Sequence, residues 1–202
     1  MITTSYHVGL DLGQASDYTA IAIVERDNDA GETDAALRVR HLQRFALGTT
    51  YPAIVEAVAS IVASLPDGAR LAVDATGVGR PVVDLLKTAG LKPIAVTVTG
   101  GDAVTHEGQN WKIPKREIVA GVQVALQQGR LQIARALPEA ETLIRELTSY
   151  KVTISEAGHD SYGAWRESIH DDLVFAVGLA VWSADKFGGG NRFYVVSGRR
   201  RW

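Results

Sequence analysis

Tyr6-His7-Val8-Gly9-Leu10-Asp11-Leu12, YHVGLDL, is the stretch on which the fold turns. It reads as a β-strand that delivers an acid, Asp11, to its end, just before Gly13. Gly13 to Tyr18 make a turn, and Thr19 to Glu25 (TAIAIVE) read as a second strand, so the two form a hairpin. Leu37 to Phe45 alternate apolar and basic residues, the pattern of an antiparallel strand with one wet face.

Beyond these strands the chain alternates. Ile54, Val55, Val58, Ile61 and Val62 have helical spacing within Tyr51 to Ser64, with Pro52 near the first turn, where proline is tolerated. Arg70 to Asp74 (RLAVD) form a short buried strand that again ends in an acid. Pro81 to Ala89 form a helix closed by Gly90, and Lys92 to Val98 form the next strand. Gly100 to Asn110 are a polar loop, Pro114 to Gln128 a helix, Leu131 to Ile133 a short strand and Pro138 to Thr148 a helix. Lys151 to Ser155 and Tyr162 to Arg166 read as the arms of a hairpin, and the last large helix runs from about Asp171 to Lys186. Three antiparallel strands and then helix, strand, helix and strand predict an α/β fold. It is a ribonuclease H-like mixed five-stranded sheet with helices on both faces and an auxiliary β-hairpin. Residues 1–187 are expected to be this domain, and 188–202 a Gly-rich linker with a basic tail, Arg199-Arg200-Arg201.

The composition excludes several classes. At 202 residues the chain is long enough for one domain with a real core, and 46% hydrophobic against 22% charged residues is the balance of a soluble globular protein. The absence of cysteine removes disulfides, cysteine-based zinc sites and thiol chemistry, and fits a cytosolic, cytoplasmic protein. Met1 to Val8 lack a signal-peptide layout, and Leu173 to Trp182 are too short to span a bilayer, so no membrane partner is expected. A formal net charge of −2 supplies no general attraction to nucleic acid, although Lys112, Lys115 and Arg116 gather locally.

Asp11 ends the first strand, Asp74 the fourth, and Asp171 and Asp172 open the last helix. Neighbouring first and fourth strands would set two acids side by side, and a helix packed over them would add its first turn to the same place. Taken singly, each has a plain explanation: Asp11 as a turn aspartate, Asp74 as a cap for the next helix or a partner for its backbone, Asp171 or Asp172 as an N-cap. Together, in this order, they point to a shared ion. Clustered carboxylates repel one another, and hard divalent cations such as Mg²⁺ or Mn²⁺ relieve that repulsion. Two such ions about 3.5–4 Å apart can hold a phosphate and activate water without any side-chain nucleophile.

These residues resemble a known family. Asp11-Leu12-Gly13 with Asp17-Tyr18-Thr19-Ala20, Arg44-Phe45 with Gly48-Thr49-Thr50-Tyr51-Pro52, Asp74 with Thr76-Gly77-Val78-Gly79, Pro114-Lys115-Arg116 with Gly129-Arg130-Leu131, and above all His170-Asp171-Asp172-Leu173-Val174 resemble the nuclease domain of tailed-phage terminase large subunits. The resemblance covers about Val8 to Val181. It implies a two-metal endonuclease that cuts concatemeric double-stranded DNA during packaging. Asp11 would bridge both ions, Asp74 would bind one, and Asp171 or Asp172 the other. It also implies a terminase ATPase domain or subunit, a small terminase and a portal as partners. Where that family often carries a further acid in the last helix, this chain has Phe175. No G-x-x-x-x-G-K-[ST] motif is present, so the expected protein is an isolated nuclease domain or a stand-alone nuclease.

Lys112, Lys115 and Arg116 at a helix start, Lys151 and Arg166 on the expected hairpin, and His170 beside the acids are the candidate DNA contacts. A Holliday-junction resolvase would use the same acids on a four-way junction. A sugar or acetate kinase-like fold would use Gly9 to Gly13 as a phosphate loop, and a docking module of the packaging complex would need none of the acids.

Overall fold

A computed structural model describes residues 3–13, 17–28, 35–66, 68–77, 79–156 and 171–188. Strands β1 (Thr3–Asp11) and β2 (Ala20–Asn28) form the opening antiparallel hairpin, and β3 (Leu37–Arg44) pairs antiparallel with β2. Helix α1 (Tyr51–Ala63) carries the chain back to β4 (Arg70–Asp74), parallel to β1. Helix α2 (Gly79–Thr88) does the same for β5 (Ile94–Thr99), parallel to β4. Parallel neighbours require such crossovers, which is why the strand–helix alternation in the sequence predicts a mixed sheet.

The sheet is wider than the five strands expected. Its order among the described residues is β6-β7-β5-β4-β1-β2-β3-β8, with β6 (Thr105–Glu107), β7 (Asn110–Pro114) and β8 (Leu131–Ile133) added at the edges. The segment read as a polar loop holds β6 and the start of β7. Thr105, His106 and Glu107 are all exposed, and an edge strand of this kind is made by backbone pairing, without an apolar pattern to announce it. In β7 only Trp111 and Ile113 alternate inward ahead of Pro114, too short a run to separate from a helix entry.

Among the described residues three further helices follow: α3 (Lys115–Gln127), α4 (Ala140–Glu156) and α5 (Asp172–Phe187). The hairpin expected over 151–166 is corrected in its first arm, because residues 151–155 continue α4. The β-branched run there suggested a strand, but the helix begun at Ala140 and anchored by buried Leu143 carries through it. The second arm, including Arg166, and His170 lie outside the described residues, as does the basic tail.

Alternation along β2 divides the core. Ala20, Ala22 and Val24 face α3, α4 and α5, whereas Ile21 and Ile23 face α1 and α2. The segment from Leu173 to Val181 is buried without interruption, because α5 is sandwiched between the sheet and α3 and α4. The approach of α5 to the sheet is closest at Gly9, where a Cβ atom would stand 1.9 Å from the carbonyl oxygen of Ala176.

Midway along β1, His7 is fully buried. Its Nδ1 shares a 2.9 Å hydrogen bond with Ser183 Oγ, and its Nε2 a 3.1 Å bond with Ser5 Oγ. Burial, then Arg70 and Arg26, lower its pKa to about 3. The folded state therefore keeps His7 neutral while the unfolded chain protonates it near 6.5. This contribution to stability is lost as pH falls from about 6.5 toward 3, at on the order of 1.4 kcal/mol per pH unit. Urea midpoints of wild type and His7→Gln should converge as pH is lowered through this window. Parallel curves would disprove the assignment.

Candidate functional site

A single row of residues crosses the sheet beneath the start of α5. Asp11 pairs with Ala20, and Ala20 pairs with Arg44. On the other side Leu10 pairs with Val73, which brings Asp11 and Asp74 side by side at the ends of parallel strands. Period-two alternation sets Asp74 on the same face as Ala72, which packs with Phe175 and Leu179 of α5. The expectation that the first and fourth strands are neighbours is met. Asp171 and Asp172, at the N-cap and first turn of α5, stand over this row, with Asp172 buried.

The plain explanations account for one of these acids. Asp171 occupies the N-cap position of α5 but makes no capping hydrogen bond through its side chain. Its Oδ2 is instead 3.3 Å from Lys115 Nζ. Asp74 does bind the backbone just beyond it, accepting a 2.8 Å hydrogen bond from the Thr76 N–H. That turn is tight, since Gly77 has φ +62° and a Cβ at Gly79 would meet the Asp74 carbonyl oxygen at 2.1 Å. Asp11 is no free turn residue, since the turn after it is held by other groups. The Gly13 N–H donates to Thr19 Oγ1 at 3.1 Å, and Tyr51 Oη donates to the Gly13 carbonyl at 3.3 Å.

The electrostatics converge on Asp11. Burial holds its carboxyl well above the ordinary carboxylate range, Asp74, Asp172 and Asp171 push it further up, and Lys115 pulls it back. Asp74 is also raised by burial, against the hydrogen bonds from Thr76 and the charge of Lys115. A half-buried carboxyl whose neighbours are carboxylates is a place short of positive charge, and the all-oxygen donor set suits a hard divalent ion. Among the described residues no three acid or histidine side chains form a closed metal cage as they stand. Three of the four acids are instead turned to resident donors: Asp74 to Thr76, Asp171 to Lys115, and Asp172 to Arg44, whose Nη2 lies 3.7 Å from Asp172 Oδ2.

Two residues of this region were missed by the sequence reading as functional candidates. Glu146, on α4, is buried with its Oε1 on Arg44 Nη2 and its Oε2 accepting a 3.0 Å hydrogen bond from the Val174 N–H. Burial pushes its pKa up to about 7, with the Val174 N–H and Arg44 opposing and Asp172 and Asp171 adding to the rise. Arg44 also lies over the Tyr18 ring, 5.0 Å from its centroid. No local pattern marks Glu146, which looks like one more acid on an amphipathic helix. Only its meeting with a helix 28 residues later gives it meaning.

The candidate DNA contacts disperse. Lys115 points to the acids and lies 5.4 Å from the Phe175 ring centroid. Arg116 is exposed and paired with Asp102 at 2.5 Å. Lys112 is exposed on β7 and, with Arg80 and Lys87 of α2, lines a groove of about 590 Å³ on the sheet face away from α5. Lys151 lies in the last turns of α4.

A family model described as the terminase RNaseH-like domain matches residues 8–184. Among solved structures, the large terminase nuclease from thermophilic phage G20c is similar at 18% identity, over 88% of this chain and 81% of that one, with a TM-score of 0.58. The human cytomegalovirus terminase nuclease domain, Mn-soaked and inhibitor-bound, is similar at 15% identity, over 91% of this chain and 84% of that one, with a TM-score of 0.56. At these identities the likeness is one of fold. A comparison with curated proteins finds no match.

Proposed function

Since the chain belongs to the terminase RNaseH-like domain family, we propose that it is a metal-dependent endonuclease that hydrolyses DNA phosphodiester bonds, cutting concatemeric viral DNA during genome packaging. The observation that supports this most is the half-buried Asp11 carboxyl, pushed up by three neighbouring aspartates and lying at the meeting point of β1, β4 and α5. Asp11, Asp74 and Asp172 are the proposed ligands of two Mg²⁺ or Mn²⁺ ions, with Asp171 at their edge. Asp172 is preferred to Asp171 because it is buried and weighs more heavily on Asp11. Bound ions of this kind activate water and offset charge on the reacting phosphate.

The protein's own groups do the remaining work. Lys115 balances part of the acidic charge on Asp11 and Asp74. Arg116, Lys151, Arg166 and His170 would meet the phosphates of double-stranded DNA, whereas Lys112, in a groove on the sheet face opposite the acids, would meet only a stretch of duplex away from the cut. None of these contacts reads base edges, so binding should be salt-sensitive and largely sequence-independent. The proposed partners are a terminase ATPase domain or subunit, a small terminase and a portal, and the proposed setting is the host cytoplasm. No helix among the described residues is long and apolar enough to cross a membrane.

Nicking of supercoiled plasmid tests the reading. Mn²⁺ or Mg²⁺ should support cutting better than Zn²⁺, because the donors are all oxygen. Asp74→Asn should lose about 10-fold or more of the Mn²⁺-dependent rate. Full activity in EDTA, or an Asp74→Asn variant as fast as wild type, would refute the metal assignment.

A further inference from the structure

We propose that Arg44 and Glu146 are positioning residues that set the Asp172 carboxylate for metal, and that Glu146 caps α5 in place of the N-cap residue Asp171. The proposal rests on the metal-dependent reading of the site.

A helix start leaves four N–H groups without intrahelical partners, and an aspartate at the N-cap ordinarily satisfies one of them. Here the N-cap residue is Asp171, and its side chain does not cap. The third N–H of the helix, that of Val174, donates across space to Glu146 Oε2 at 3.0 Å. The cap comes from α4, so the side chain of Asp171 is not consumed by the helix terminus. Asp171 pairs with Lys115 and Asp172 stands beside Arg44, both over the sheet row that carries Asp11.

The other oxygen of Glu146 fixes Arg44. Glu146 Oε1 accepts from Arg44 Nη2, and the same nitrogen lies 3.7 Å from Asp172 Oδ2. Arg44 is set from below by its register opposite Ala20, whose small side chain leaves the row open, and from the side by the Tyr18 ring. A planar guanidinium held by Glu146 and the Tyr18 ring presents a fixed charge to Asp172, which a flexible lysine would not. Groups that orient metal ligands typically change affinity 10–100-fold when removed.

The sign of the effect separates positioning from simple charge balance. A cation that merely neutralised the acids would, when removed, let Mn²⁺ bind more tightly. A positioning cation, when removed, weakens it. Mn²⁺ binding to the full chain is read from the EPR signal of free Mn²⁺, without DNA and without turnover. Arg44→Met and Glu146→Gln should each bind Mn²⁺ about 10-fold or more weakly. The double variant should be no weaker than the weaker single one, because the pair acts as a unit. Arg44→Lys should recover only part of the loss. If Arg44→Met fails to fold by near-ultraviolet circular dichroism, Arg44→Lys decides, since it keeps the charge and loses only the planar fork: weaker Mn²⁺ binding supports positioning, and wild-type binding overturns it. Unchanged or tighter Mn²⁺ binding in folded variants overturns the positioning role and leaves the metal reading standing. A wild type that binds no Mn²⁺ overturns both.

Discussion

Asp11→Asn is expected to do two opposite things: abolish Mn²⁺-dependent DNA cutting and raise the melting temperature of the metal-free protein. The loss of cutting should exceed about 100-fold, the upper end for groups that only orient metal ligands, because Asp11 is proposed to hold metal directly. The gain in stability comes from its electrostatics. Its folded pKa is raised by burial and by Asp74, Asp172 and Asp171. A carboxyl raised in this way opposes folding once it must ionise. The penalty is fully present above the raised pKa and fades as pH falls toward the ordinary value of 3.8. The variant's thermal advantage should therefore be largest at neutral pH and close near pH 3.8. For a chain of this size each kcal/mol is worth about 2–4 °C. Adding Mn²⁺ should reverse the order, raising wild type by mass action and leaving the variant nearly unmoved. A variant that melts lower than wild type at neutral pH without metal would show that Asp11 is not electrostatically strained.

Gly9→Val is expected to cost the most stability of any single change in the sheet. The added Cβ would lie 1.9 Å from the Ala176 carbonyl oxygen and 2.8 Å from the Ala180 nitrogen. Both are backbone atoms in the middle of α5, so no side chain can swing aside. Inserting atoms into a well-packed core commonly costs about 1–3 kcal/mol, and an obstacle made of helix backbone should place this change at about 3 kcal/mol or more. Because α5 carries Asp171 and Asp172, displacing it also moves the acids from the row at Asp11 and Asp74. Partial rescue of the fold at low temperature should then come without rescue of Mn²⁺ binding. Chemical denaturation and Mn²⁺ titration on the same samples check this. A Gly9→Val protein with wild-type stability would mean that α5 does not rest on β1 as described.

Much of the fold was legible because its signals are local. Alternation in YHVGLDL and TAIAIVE marked the hairpin, and helical spacing of Ile54, Val55 and Val58 marked α1 to within a residue. The acids were legible because each closes an element: Asp11 and Asp74 end strands, and Asp171 and Asp172 begin a helix. Strands β6 and β7 were not, since their stability lies in pairing with each other and with β5, which no property of THE or NWKIP reports. The hairpin expected at 151–155 failed for the converse reason, a β-branched run overruled by the helix it continues.

The order of residues alone determined that strands and helices alternate in a mixed α/β pattern and that aspartates sit at the ends of particular elements, since both arise from side-chain periodicity and short-range capping chemistry. Tertiary structure alone decided that Glu146 would cap a helix it does not belong to, that Arg44 would stand beside Asp172, and that Gly9 would be the point of contact beneath α5. Those outcomes depend on the distance between segments far apart in the chain. That distance is set by how the two faces of the sheet fill with α1 and α2 on one side and α3, α4 and α5 on the other.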